Sequence, residues 1–158
     1  MSIIFADMDG VINILSPSYN TCMIQPDGNT IWFEHHLIKR LDWLIDQTLS
    51  EVVISSSWRL DMEDLEKLMK QYGFRNWDKV IGSTPYRNGI RWRGDEIQTW
   101  LDENNYKGKY VVLEDEVIDV CGDYCDTIPR EFVVEVDMKT GLTHADVEKA
   151  KGILYEVD

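Results

Sequence analysis

Short apolar runs recur along this chain, each followed by a polar turn and, in most cases, by a segment with helical spacing. The runs are Ile3-Ile4-Phe5-Ala6, Val52-Val53-Ile54, residues 79–82, residues 110–113 and residues 132–134. Continuous apolar runs of this length are expected of strands buried on both faces, as in a parallel sheet. Between them, apolar positions return with a period near 3.6. Leu37, Leu41, Leu44 and Ile45 share one face of a helix that starts near His35 and His36. Leu65, Leu68 and Met69 do so in residues 62–72, with Asp61 as cap and Gly73 as stop. Ile97, Trp100 and Leu101 mark a helix over 94–104. Val147, Ala150 and Leu154 mark a last one ending at 155, which Thr143 can cap. This alternation predicts an α/β fold: a Rossmann-like three-layer α/β/α sandwich around a mostly parallel five-stranded sheet, with residues 1–158 as a single domain.

One stretch departs from the pattern. Residues 12–33 show no periodicity and contain Pro17, Pro26 and Gly28. They are expected to form a long loop with a small hairpin around Asp27-Gly28, and loops of that length often cover or build a site. The segment is an active-site loop or a minimal cap.

Composition narrows the function more than the fold. Hydrophobic residues make up 44% of the 158 and the formal net charge is −13. That charge opposes an extended nucleic-acid surface, which rests on Lys and Arg, and leaves room for a small anionic substrate. No apolar run approaches the roughly 18 residues of a membrane helix. The first strand begins with no basic leader ahead of it. The three cysteines, Cys22, Cys121 and Cys125, include no CxxC pair and fit reduced thiols. Together these predict a cytoplasmic protein with no membrane partner; they say nothing of oligomeric state.

In a parallel sheet the carboxyl ends of all strands lie along one edge, where ligands bind. The first strand delivers Asp7 and Asp9 there, in Asp7-Met8-Asp9-Gly10-Val11. An Asp-x-Asp-Gly run can be a plain turn or the start of a calcium loop, but here Gly10 stands fourth rather than sixth. The second strand ends in Ser55-Ser56-Ser57-Trp58-Arg59 and the fourth in Glu114-Asp115-Glu116. Arg93 opens the helix between the third and fourth strands. Carboxylates crowded in this way need a cation, and all-oxygen ligation suits Mg²⁺. Of the Asp7/Asp9 pair, a phosphoryl transfer could use one as nucleophile and the other as acid/base.

Those four positions, in that order, resemble the haloacid dehalogenase-like hydrolase superfamily in its phosphatase branch. The likeness runs over residues 3 to 119 and lies in the apolar strand followed by Asp7-x-Asp9-Gly10-Val11, the strand ending in Ser55, the cation Arg93 and the strand ending in Glu114-Asp115. The resemblance implies Asp7 as the nucleophile that forms an aspartyl-phosphate and Asp9 as the general acid, then base. Ser55 would bind a phosphoryl oxygen and Arg93 would offset charge. Mg²⁺ would be held by Asp7, the Asp9 carbonyl and either Glu114 or Asp115. Asp115 is favoured because it is shorter, and Glu116 is expected to be a solvated bystander. The pattern departs from the common one in having Glu-Asp in place of Asp-Asp, and Arg in place of the more frequent Lys, with Arg91 a rival for that place.

Ser56, Trp58 and Arg59 are candidate substrate-binding residues; helix capping, core packing and ion pairing are their structural alternatives. Asp9 favours phosphoester hydrolysis over dehalogenation, because an alkoxide leaving group needs a proton. The implied activity is a Mg²⁺-dependent phosphatase acting on a nucleotide or other small phosphate ester. The alternatives are a 3′-phosphatase acting on nucleic-acid ends and a non-catalytic binding module. A looser likeness to the 3′-phosphatase half of nucleic-acid repair enzymes lies in Ser56-Ser57-Trp58-Arg59 and Arg93-Gly94-Asp95-Glu96-Ile97.

Overall fold

A computed structural model describes residues 1–14, 22–24 and 30–155. The strand β1 (Ile3–Ala6) is central and wholly buried. It pairs in parallel with β4 (Glu51–Ile54) on one side and β6 (Tyr110–Glu114) on the other, in the registers Ala6 to Ile54 and Ala6 to Leu113. The strands β5 (Val80–Ser83) and β7 (Val133–Glu135) extend the sheet outward, giving the order β5-β4-β1-β6-β7, all parallel. The five expected strands therefore form the α/β sheet that the apolar runs predict.

Alternation along β1 explains the three layers. Ile4 and Ala6 point to the face covered by α1 (His35–Thr48), α2 (Met62–Gln71) and α5 (His144–Tyr155). Their inward residues include Leu37, Leu41, Leu65, Met69, Val147 and Ala150. Ile3 and Phe5 point to the other face and meet Ile97 and Leu101 of α3 (Arg93–Glu103) and Val120 of α4 (Ile118–Cys121). Trp100 meets the Phe5 ring edge-on at 5.4 Å. Asp61 caps α2 by accepting from the Asp64 amide, and Thr143 and Asp146 bond reciprocally at the start of α5.

The short helix α4 and a 3₁₀ turn over Ser57–Asp61 are not foreseen by the pattern, because both are too short to show a period. Within 12–33, β2 (Cys22–Ile24) pairs antiparallel with β3 (Thr30–Trp32). The expected turn at Asp27-Gly28 and the rest of that loop, residues 15–21 and 25–29, lie outside the described residues. No described helix is long and apolar enough to cross a membrane.

Candidate active site

The carboxyl edge of the sheet brings Asp7, Glu114 and Asp115 together: one carboxylate oxygen from each lies within 4.8 Å of the others. The backbone fixes this. The Asp7 amide donates to the Leu113 carbonyl at 3.1 Å, so β1 and β6 stay in register up to the residues that carry the carboxylates. Gly10 then turns the chain with φ of +77°, a conformation that favours glycine. A Cβ at Gly10 would lie 2.5 Å from Asp115 Cγ, so the missing side chain is the space Asp115 occupies.

Asp7 is 6% exposed and Glu114 3%. Burial raises the Asp7 carboxyl to about 6, against the opposing pull of the Arg93 guanidinium and of hydrogen bonds from the Ser56 hydroxyl and Met8 amide. Burial also lifts Glu114 well above the usual carboxylate range. The Asp7 charge adds to that rise and Arg93 opposes it. Glu114 Oε1 accepts from the Glu116 amide at 3.2 Å. Its Oε2 lies 3.5 Å from Arg93 Nε and is buried without a hydrogen-bond partner among the described residues.

Asp9 is exposed. Its Oδ1 accepts from Asn13 Nδ2 at 2.6 Å and from Trp58 Nε1 at 3.1 Å, while Asn13 Oδ1 takes the Gly10 amide at 3.0 Å. Trp58 also packs against Phe33, with ring centroids 5.4 Å apart. Ser55 is fully buried at the end of β4, and its Oγ meets no hydrogen-bond partner among the described residues. Ser56 accepts from the Trp58 amide as a cap besides reaching Asp7. Ser57 is exposed.

The cations are arranged in a chain. Arg93 reaches Glu114 on one side and, through Nη1, Glu96 Oε2 at 3.2 Å on the other. Glu96 Oε1 in turn takes Arg59 Nη2 at 2.6 Å, and Arg59 Nη1 donates to the Ser56 carbonyl at 2.9 Å. The Arg59 side chain is only 5% exposed, so it braces this chain and does not project outward. Arg91 is exposed, with its guanidinium 4.5 Å from the centre of the Trp92 ring. Of the two arginines considered for one role, Arg93 is the one beside the carboxylates.

Sequence reasoning missed Asn13 as a partner of Asp9 and Arg59 as the second partner of Glu96. Asn13 stands four residues after Asp9, the spacing of a turn in which a side chain reaches back. Glu96 lies three residues after Arg93 on one helix face, a spacing at which such pairs form, but no local spacing marks Arg59, 37 residues away.

The oxygen set fits Mg²⁺. The carboxylates of Asp7, Asp9, Glu96, Glu114 and Asp115 outnumber the guanidiniums of Arg59 and Arg93. Three of their oxygens converge, and a buried oxygen of Glu114 lacks a hydrogen-bond donor among the described residues. Such hard oxygen donors suit that ion.

A family model described as the HAD domain in Swiss Army Knife RNA repair proteins matches residues 3–147. The chain belongs to that family. Haloacid dehalogenase-like (HAD) membership thus holds for nearly the whole chain, from β1 into α5. No curated protein and no solved structure gives a significant match. HAD domains generally use Mg²⁺, and in this HAD domain Asp7, Glu114 and Asp115 are the described residues able to hold it together.

Proposed function

We propose that this HAD domain is a phosphatase that removes a terminal phosphate monoester from RNA ends through an aspartyl-phosphate on Asp7. The observation that carries the chemistry is the difference between the two aspartates: Asp7 is buried beside Arg93, Glu114 and Asp115, and Asp9 is exposed beside it. The RNA end comes from the family, whose model is described by RNA repair proteins.

In the first step an Asp7 carboxylate oxygen forms a bond to phosphorus as the bond from phosphorus to the ester oxygen breaks. Asp9 gives that leaving oxygen a proton. Both donors to Asp9 meet Oδ1, so Oδ2 is the oxygen that carries the proton. In the second step a water oxygen bonds to phosphorus, Asp9 takes its proton, and the bond from phosphorus to Asp7 breaks to release inorganic phosphate. Ser55 Oγ donates to a phosphoryl oxygen, which would give that buried hydroxyl its partner. Arg93 offsets the charge of the phosphoryl group, held in place by Glu96. Asp7, Asp115 and the Asp9 carbonyl, with help from Glu114, would hold Mg²⁺, which would supply neutralisation of carboxylate and phosphoryl charge. Residues 1–158 would act as one domain, with 12–33 as its active-site loop or minimal cap.

A second substrate class, nucleotides and other small phosphate esters, is favoured by the net charge of −13. The deciding experiment measures phosphate release with Mg²⁺ from three substrates: p-nitrophenyl phosphate, mononucleotides, and oligoribonucleotides phosphorylated at the 3′ or the 5′ end. Oligonucleotides should give the highest kcat/KM. Preference for mononucleotides would select the second class, and no release from any substrate would make the domain a binding module.

A further inference from the structure

Beside the cation chain lies a surface stack that the chemistry above does not use. The Arg91 guanidinium lies 4.5 Å from the centre of the Trp92 ring, and Tyr124 stacks on Trp92 with ring centroids 5.3 Å apart and planes 17° from parallel. Trp92 is only partly exposed. Tyr124 is 60% exposed, which leaves its outer ring face to solvent.

The stack adjoins the site. Trp92 is the residue before Arg93, where α3 begins at the carboxyl edge of the sheet. Tyr124 follows α4, in the segment that leaves the same edge after Glu114. The two segments are pressed together: a Cβ at Gly94 would lie 2.6 Å from the Val120 carbonyl oxygen and 2.8 Å from Cys125 Sγ. The Tyr124 amide donates to the Ile118 carbonyl and the Gly122 amide to the Cys125 carbonyl, which ties the loop carrying the ring to α4.

We infer that the outer face of Tyr124, backed by Trp92, is a stacking platform for the base of the nucleotide that bears the phosphate. This rests on the reading of the protein as an RNA-end phosphatase. A base is the occupant that the surroundings favour. A net charge of −13 opposes a grip on a long phosphate backbone through released counterions. Asp119, Asp123 and Asp126 share this segment with Tyr124, which favours a neutral planar group there over a run of phosphates. Stacking on an aromatic ring does this and tolerates any base. Trp58, by contrast, packs on Phe33 and donates to Asp9, which commits it to placing the general acid.

The test compares phosphate release by the wild type, Tyr124→Phe and Tyr124→Ala. The substrates are oligoribonucleotides whose phosphorylated terminal nucleotide carries a base or is abasic, with p-nitrophenyl phosphate as reference. Tyr124 is exposed, so neither variant removes core packing. The wild type should prefer the base-bearing end roughly tenfold in kcat/KM, through KM. Tyr124→Phe should keep this preference and Tyr124→Ala should lose it. With 2-aminopurine as the terminal base and Asp7→Asn added to block turnover, fluorescence should be quenched on binding, and Tyr124→Ala should remove the quench. An unchanged preference and quench in Tyr124→Ala would overturn the platform while leaving the RNA-end reading intact. Hydrolysis of the aryl phosphate with none of any RNA end would overturn both.

Discussion

Asp7 and Asp9 are neighbours in sequence with opposite surroundings, and the expected effects of changing them differ accordingly. Asp7→Asn removes the nucleophile and should abolish turnover. Because the amide is close in size, far-ultraviolet circular dichroism should stay as in the wild type. Asp9→Asn keeps Asp7 and should slow hydrolysis about 10²–10⁴-fold, with the smallest loss on p-nitrophenyl phosphate, whose leaving group needs least protonation. Near-wild-type rates in Asp7→Asn would remove the covalent step. A third residue-scale prediction concerns the acidic end of β6. Asp115→Ala should weaken Mg²⁺ binding most, Glu114→Ala less and Glu116→Ala least, as read by isothermal titration. Gly10→Ala should act in the same direction, since its Cβ would collide with Asp115, and should also cost about 1–2 kcal/mol for a left-handed backbone carrying a side chain. An unchanged affinity in Asp115→Ala would make Glu114 the ligand.

At the scale of elements, α3 is the piece through which packing and chemistry meet. Its inner face, Ile97 and Leu101, anchors it under β1 and β6, and its first turn carries Arg93 and Glu96 toward the carboxylates. Glu96 is 8% exposed and is shared by two guanidiniums. Glu96→Ala leaves both arginines without their partner and should destabilise the protein by about 3 kcal/mol, as for other broken buried pairs. Glu96→Gln, which keeps an acceptor, should cost less stability yet still lower kcat, because Arg93 loses the charge that holds it. Urea unfolding and steady-state rates on p-nitrophenyl phosphate check the two halves separately; an unaltered kcat in Glu96→Gln would mean that Arg93 is placed by Glu114 alone.

The same helix shows how far the sequence could be read. Its existence was legible from Ile97, Trp100 and Leu101, and the position of Arg93 from the start of that pattern. That Arg59 lies behind Arg93 was not, because the contact joins residues far apart in sequence through Glu96. The order of the strands was likewise open: apolar runs mark strands, but only pairing puts β1 between β4 and β6, and that placement is what brings Asp7 beside Glu114. The short elements α4 and the 57–61 turn carry too few residues for periodicity to reveal them.

On the scale of the whole molecule, the site stores unfavourable charge that folding must tolerate and a cation can relieve. Asp7 has a folded value near 6 against 3.8 for the ordinary group, and Glu114 is displaced in the same direction. A carboxyl raised by folding binds more protons folded than unfolded. Its contribution therefore lowers stability as pH rises from about 4, where both states begin to ionise differently, to above 6, where the full cost is present. In excess chelator the thermal midpoint should fall across that window. In Asp7→Asn, which lacks one of the two groups, the fall should be shallower. Mg²⁺ binds the ionised carboxylates of the folded state, so its stabilisation should be small near pH 4 and grow toward pH 7. At a hundredfold excess over Kd it should reach about 2.7 kcal/mol. Calorimetric scans of both proteins at a series of pH values, with and without Mg²⁺, measure every part of this. A Mg²⁺ effect that does not change between pH 4 and pH 7, or full activity in chelator, would mean that these carboxylates are not where the ion acts.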